Sequence, residues 1–317
     1  MHLQPAPLSW WIGLALLIAP VVVVAQPLPD ADAPPVCPPG GCDGDAPIVI
    51  APDAAEGRLI GGKTAGPTPW QVSVSYGGTL VKRGTALPEW TLRHSCGGAL
   101  IAPDWVLTAG HCIVVEKTTF MTPGNLEVRF GALRLDSRDL KHVGVKRIVR
   151  HPDYQREPTQ NDVALLQLDR PVTLQPGLVE VIALPDRQTA VGQPVQLSGW
   201  GKTESPVAGG MPVELRFIRL RVLNNSACVS AGFTKVSDTD LCAGAPDVSQ
   251  CSGDSGGPLV WRGTDAEGRD RWVLVGSVSR SLTNCPAGKP GVYARIASFT
   301  DWIRSAMKAA ATRGSAR

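Results

Sequence analysis

At 317 residues the chain is long enough for two ordinary domains or one larger two-lobed one. A 43% hydrophobic share supports a globular core, and a net charge of +3 with no basic run excludes the electrostatic footprint of a nucleic-acid binder. With 34 Gly and 28 Pro, turns and short strands are favoured over long helices.

The chain opens on a targeting segment. Trp10 to Ala25 is almost wholly apolar and ends in Val23-Val24-Ala25, the small-residue pattern of a cleaved signal peptide over 1–25. The run is short for a membrane span and contains Pro20. No Lys or Arg precedes it, which leaves a retained anchor as the alternative; no later stretch is apolar enough to span. Gln26 to Arg58 is rich in Pro, Ala, Asp and Gly and has no aromatic residue or amphipathic period, so it reads as a leader that cannot fold alone. Cys37 and Cys42 sit inside it around Pro-Pro-Gly-Gly. A local disulfide or a tether to the main domain are the uses open to them; a metal site lacks further ligands.

From Leu59 the pattern changes. Gln71–Tyr76 alternates like a half-buried strand. Short runs follow at Leu126–Leu135, Val163–Leu168, Val195–Trp200, Leu215–Leu223, Trp272–Ser279 and Gly291–Ile296, separated by Gly, Pro, Asn and Asp. That is the pattern of an all-β sandwich or barrel. Only Ser298 to about Thr312 reads as helical, with Phe299, Trp302, Ile303, Met307 and Ala310 on one face. There is no internal repeat.

Three stretches carry chemistry. Gly253-Asp254-Ser255-Gly256-Gly257-Pro258 exposes a serine hydroxyl at a tight loop whose glycines let the backbone approach a substrate. Such a serine needs a base to take its proton; without one the loop is a turn made of turn formers. Thr108-Ala109-Gly110-His111-Cys112 ends the apolar run Trp105-Val106-Leu107, which fixes the base of a histidine while one ring edge stays free, unless it merely packs at a strand end. Asn161-Asp162-Val163-Ala164-Leu165-Leu166 opens an apolar strand with a carboxylate that either caps the strand or accepts an imidazole N–H and fixes its tautomer.

Together these stretches resemble the trypsin/chymotrypsin family of serine endopeptidases, in the family's chain order, from Leu59 to about Ala309. Ser198-Gly199-Trp200-Gly201 is similar to the family's glycine-tryptophan loop, and Lys289-Pro290-Gly291-Val292-Tyr293 to the strand closing its specificity pocket. The resemblance implies an all-β fold of two six-stranded antiparallel β-barrels with a C-terminal helix: barrels over about 59–170 and 171–297, helix over about 298–312, active site in the cleft. It implies Ser255 as nucleophile, His111 as general base and then acid, Asp162 as its orienting carboxylate, and the N–H groups of Gly253 and Ser255 as oxyanion hole. Ser277 resembles the serine beside the aspartate. By the same resemblance the disulfides are Cys96–Cys112, Cys228–Cys242 and Cys251–Cys285, leaving Cys37–Cys42; spacing alone allows 105 pairings of eight cysteines. Disulfides imply an oxidising, extracytoplasmic setting, secreted or periplasmic.

Gly57-Arg58-Leu59-Ile60-Gly61-Gly62 resembles the family's activation site, with cleavage after Arg58 and the freed ammonium of Leu59 pairing with Asp254. Leu59 is a mild departure from the commoner isoleucine. Ser249 matches the pocket floor, where trypsin-like members carry an aspartate, so a tryptic preference is disfavoured and another protease is the expected activator. Val278 and Ser279 stand where the family has Trp and Gly on the wall; a narrowed pocket, lined also by Gly291, favours small to medium apolar side chains, with aromatic ones second. Arg280 near the rim reads as a solvated arginine or a selector of acidic substrate residues.

The insertion Gly77 to His94 reads as a surface loop or partner site. The loop Arg129 to Val143 has Asp136 and Asp139 but not the acidic pair of a calcium-binding member, so neither metal nor cofactor is expected. Asn224-Asn225-Ser226 is a glycosylation sequon. Expected partners are protein or peptide substrates, an activating protease and protein inhibitors, with a monomeric enzyme and no membrane after signal removal. A catalytically silent binding protein on the same scaffold is the competing class, and an α/β-hydrolase fails on chain order.

Overall fold

The computed structural model describes residues 62–77, 88–115, 119–203, 210–264 and 269–315, with side chains described to 312. The signal peptide, the leader with Cys37 and Cys42, and the Arg58–Leu59 junction lie outside the described residues.

The first barrel is built from β2 (Gln71–Tyr76), β3 (His94–Ala102), β4 (Trp105–Thr108), β5 (Leu126–Phe130), β6 (Lys141–Arg150) and β9 (Ala164–Leu168). It closes in the order β2-β3-β4-β9-β6-β5, all antiparallel. Alternation drives it: Val72, Val74, Val128, Leu166 and Leu168 point into one fully buried cluster, each such side chain contributing about 1.5–3 kcal/mol by leaving water. The run expected to reach Leu135 stops at Phe130, where Gly131 turns the chain at φ 81°. A two-residue pair, β7 (Gln155–Arg156) and β8 (Thr159–Gln160), projects beside the barrel.

The second barrel uses β10 (Pro194–Gly199), β11 (Arg216–Leu223), β12 (Asp240–Gly244), β13 (Pro258–Thr264), β14 (Asp270–Arg280) and β15 (Gly291–Arg295). The sheet runs β11-β10-β13-β14-β15-β12 and the β11–β12 pairing closes it, while the short β1 (Lys63–Thr64) adds to the outside of β11. Leu197, Leu220, Leu241, Leu259 and Tyr293 fill its core. The fold is thus two closed six-stranded barrels followed by a helix, as the resemblance implied.

Helix α1 (Glu89–Arg93) precedes β3, and α2 (Asn225–Ser230) is capped by Asn224, whose side chain accepts from the Ser226 N–H at 3.1 Å. The sequon asparagine therefore also starts a helix. The terminal helix α3 (Thr300–Ser315) begins two residues later than expected because Ile296–Ser298 forms a 3₁₀ turn first. Its apolar face packs Phe299, Trp302, Ile303, Met307 and Ala310 into a third cluster shared by Trp70, Leu107 and Leu165 of the first half and Val260 and Leu274 of the second.

Strand β2 departs from expectation. It is buried on both faces. Its polar face is covered by the other barrel and a histidine: Ser198 Oγ donates to Gln71 Oε1 at 2.7 Å, and Ser73 Oγ lies 2.7 Å from His94 Nδ1. Disulfides join Cys96–Cys112, Cys228–Cys242 and Cys251–Cys285, each worth about 2–4 kcal/mol. No helix among the described residues is long and apolar enough to cross a membrane.

Candidate active site

His111 sits on a 3₁₀ turn, Gly110–Ile113, that ends β4. Cys112 is tied to Cys96 of β3, so the backbone under the imidazole is anchored to two strands. Asp162 lies just before β9, paired antiparallel to β4, which puts the carboxylate against the turn. Asp162 Oδ1 accepts the His111 backbone N–H at 2.8 Å and Oδ2 lies 2.8 Å from His111 Nδ1. Gly110 permits this approach: a Cβ there would meet the Tyr154 ring at 2.7 Å and Asp162 Oδ1 at 3.2 Å.

Asp162 is only 2% exposed, whereas the His111 side chain is 30% exposed. Burial works against ionising Asp162, but the charge and hydrogen bonds of His111, with help from Ser279, outweigh it and hold the carboxyl below its ordinary range. For His111 burial works against the cation, Asp162 overcomes it, and Arg156 opposes weakly, so the imidazole stays above its ordinary value. The pair is a carboxylate fixing one tautomer of a base whose other nitrogen, Nε2, lies 3.9 Å from Cys112 Sγ.

The serine beside this aspartate corrects the sequence reading. Ser279 Oγ donates to Asp162 Oδ2 at 2.6 Å, while Ser277 is buried in β14 and donates to the Gly256 carbonyl at 3.2 Å. Ser277 and Ser279 share one face of the strand, so alternation alone cannot choose between them. The shift moves the wall positions to Arg280 and Ser281, and the narrowing ascribed to Ser279 falls with it. Arg280 is no rim cation either. Its guanidinium bonds Asp240 at 2.7 Å and the Thr234 carbonyl at 3.0 Å, with only 14% of the side chain exposed.

The serine loop is wedged against the histidine turn by glycines. At Gly256, with φ 74°, a Cβ would lie 2.2 Å from Thr108 Oγ1. At Gly97 one would lie 2.8 Å from the Gly257 Cα, and the Gly97 N–H donates to the Ser255 carbonyl at 2.8 Å. Any side chain at these positions would force the loop and the turn apart. Ser255 is half-buried. Among the described residues its hydroxyl makes no hydrogen bond, to His111 or to any other group. The N–H groups of Gly253 and Ser255 are likewise unused among the described residues, although the neighbouring N–H groups of Asp254 and Gly256 bond to Cys251 and Val278.

Two further features were not read from the sequence. His94 is buried, and burial pushes its pKa down to about 4, against a smaller pull from the Gly253 carbonyl. It is therefore neutral, and its Nε2–H donates to the Gly253 carbonyl at 3.0 Å while Nδ1 accepts from Ser73. This pins the loop residue at φ 101°. Tyr154 closes over Gly110 with its hydroxyl buried, and burial followed by the nearby Asp162 pushes its pKa up to about 12. An alternating polar face on a strand before a Cys-Gly-Gly run was the only available signal for His94.

Asp254 is fully buried and ligated by two amides, the Gly201 N–H at 2.8 Å and the Cys251 N–H at 2.9 Å. A Cβ at Gly199 or Gly201 would fall within 2.1–2.3 Å of its carboxylate, so the loop Ser198-Gly199-Trp200-Gly201 exists in this form to admit it. Burial pushes its pKa up to about 7, and the two amides only partly offset that. Among the described residues, Cys96, His111 and Cys112 are a close group of possible metal ligands, but both sulfurs are consumed in the disulfide. Arg134 occupies the acidic loop, bridging Asp136 and Glu214.

The family described as Trypsin matches residues 60–303. The chain belongs to the trypsin family. Members of this family are serine endopeptidases, hydrolases that act on proteins. The chain is 35% identical to "Trypsin 5G1" of Aedes aegypti over 79% of its own length and 85% of that protein. It is 32% identical to "Serine protease filzig" of Drosophila melanogaster over 81% of its length, which is 15% of that much longer relative.

Proposed function

We propose that the chain is a secreted serine endopeptidase, its protease domain spanning 59–312, made as a zymogen and activated by cleavage after Arg58. In this reading Ser255 Oγ attacks the scissile carbonyl while His111 Nε2 takes its proton. The oxyanion forms opposite the uncommitted N–H groups of Gly253 and Ser255. His111 then protonates the leaving amine, and water, deprotonated by the same imidazole, hydrolyses the acyl-enzyme. Asp162 holds the imidazole tautomer and stabilises its cation. The observation that supports this most is the Asp162–His111 clamp set directly against a glycine loop with two N–H groups that are free among the described residues. The disulfides fit an oxidising compartment, and cleavage of the signal over 1–25 would release the enzyme from the membrane.

Activation rests on Asp254. A buried carboxylate answered only by amides among the described residues is suited to a newly freed ammonium, that of Leu59. Such a buried pair acts more as a switch than as a stabiliser. The uncharged floor at Ser249 supports a non-tryptic preference and an activating protease other than the enzyme itself. The test is hydrolysis of a peptide library by chain cleaved after Arg58, with N-terminal sequencing of the active form. Cleavage activity in a chain starting at Leu59, abolished by Ser255→Ala, supports the reading; undiminished activity in Ser255→Ala rejects it.

A further inference from the structure

Gln250 is the residue before Cys251 and five before the proposed nucleophile. It is 2% exposed, and Ser249 beside it is 6% exposed. Its side chain reaches from the Arg280 carbonyl at the end of β14 to Gly291 at the start of β15, strands that pair there through Arg280 and Val292. Nε2 donates to the Arg280 carbonyl on β14 at 2.7 Å. On the other wall, a Cβ on Gly291 would fall 2.4–2.6 Å from Cδ, Nε2 and Oε1 of the same amide. The space left by the missing side chain of Gly291 is therefore already occupied by Gln250. This place lies beside the site, because Ser279, the residue before Arg280, bonds Asp162.

The amide orientation is fixed by chemistry. Only N–H can bond a carbonyl, so Nε2 faces Arg280 and Oε1 is the free end. Oε1 is buried with no hydrogen-bond partner among the described residues. A buried acceptor without a donor is unfavourable, and a ligand that supplies the donor regains that loss. Ser249 adds nothing to compete for it: its hydroxyl proton goes to the Gln250 main-chain carbonyl at 3.1 Å. The floor is thus uncharged. A cation would enter without a counter-charge, and burying it unpaired is strongly unfavourable.

We propose that Gln250 sets the residue accepted before the scissile bond as a short, neutral side chain that donates a hydrogen bond, the hydroxyl of Ser or Thr or the primary amide of Asn. This rests on the peptidase reading above and narrows it. The bar formed by Gln250 excludes aromatic side chains, and the unpaired Oε1 discriminates against apolar side chains of equal size.

The experiment compares kcat/KM on peptides differing only before the scissile bond in the isosteric pairs Thr/Val and Asn/Leu, plus Phe. It uses enzyme processed after Arg58 and counted by reaction of Ser255 with a fluorophosphonate. Wild type should favour Thr over Val and Asn over Leu by about tenfold or more, as sites built to bond a substrate donor do. Gln250→Met keeps the volume but removes the acceptor, and should bring both ratios to about one. Gln250→Ala should raise the rate on Phe relative to Thr. Labelled wild-type enzyme that cleaves Val and Leu as well as Thr and Asn, or Gln250→Met that labels yet keeps the ratios, overturns the proposal. Absence of labelling in wild type overturns the peptidase reading instead.

Discussion

Two buried aspartates stand on either side of the site, and burial alone does not decide their state. Asp162, in the first barrel, faces an imidazole and accepts from His111 twice and from Ser279 once, and its carboxyl is held below the ordinary range. Asp254, in the second barrel, accepts only two backbone N–H groups among the described residues, and its pKa is pushed up to about 7. Desolvation is the largest single influence on both. The difference is a neighbouring ionisable base, which amide dipoles do not replace. Asp162, in the half proposed to be catalytic, thus has a basic partner as folded, whereas Asp254, proposed to serve activation, is one positive charge short among the described residues.

That contrast can be broken at either end. Ser255→Ala should abolish peptide hydrolysis, and Asp162→Asn should lower kcat about 10⁴-fold by leaving the imidazole in the wrong tautomer; steady-state kinetics checks both. The next effect is on stability. Because the folded pKa of Asp254 lies above the unfolded one, the folded chain holds a proton that the unfolded chain has lost. Asp254 should therefore take stability from the uncleaved protein as pH rises from about 4 to about 7, by up to about 4 kcal/mol at 1.36 kcal/mol per unit, while His94, with its folded pKa lowered to about 4, adds stability over much of the same window. The denaturant midpoint of wild type relative to Asp254→Asn should fall across that range, and this relative fall should disappear once Leu59 is freed; a difference between the two that does not depend on pH before cleavage refutes the assignment.

A smaller effect belongs to Ser279. Ser279→Ala removes one hydrogen bond to the carboxylate, about 1.5–3 kcal/mol for a charged acceptor, so kcat should fall about tenfold while Ser277→Ala leaves it near wild type. The smallest is a pH shift. His111 acts as a base when neutral, so kcat/KM should fall below its pKa, which Asp162 holds above the ordinary histidine value. In Asp162→Asn that acidic limb should move to lower pH; a limb that stays put means another group titrates.

Much of this architecture is legible in the sequence because it depends on local pattern. Alternating runs such as Gln71–Tyr76 and Val195–Trp200 mark strands, and the motifs around His111, Asp162 and Ser255 point to the chemistry proposed for them. Strands β3, β6 and β12 are harder: the glycine pair of β3, the basic residues and Gly144 of β6, and the short Asp240–Gly244 blur a period of two. The site details that escape are those decided in three dimensions. Ser277 and Ser279 are equivalent along the strand and differ only in what lies opposite. Gln250 next to a cysteine carries no local signal, and its importance comes from Gly291, 41 positions on by their numbering. Arg280 resembles a surface cation until Asp240 is brought beside it.

The central claim is that imidazole, carboxylate and hydroxyl form one working relay. Fluorophosphonate labelling of the processed chain, located by peptide mapping, tests it most directly. The expected result is one label per molecule on Ser255, reduced at least a thousandfold in rate by His111→Ala (about 4 kcal/mol at 1.36 per tenfold). Labelling of Ser255 at an equal rate without His111, or none at all in wild type, would contradict it.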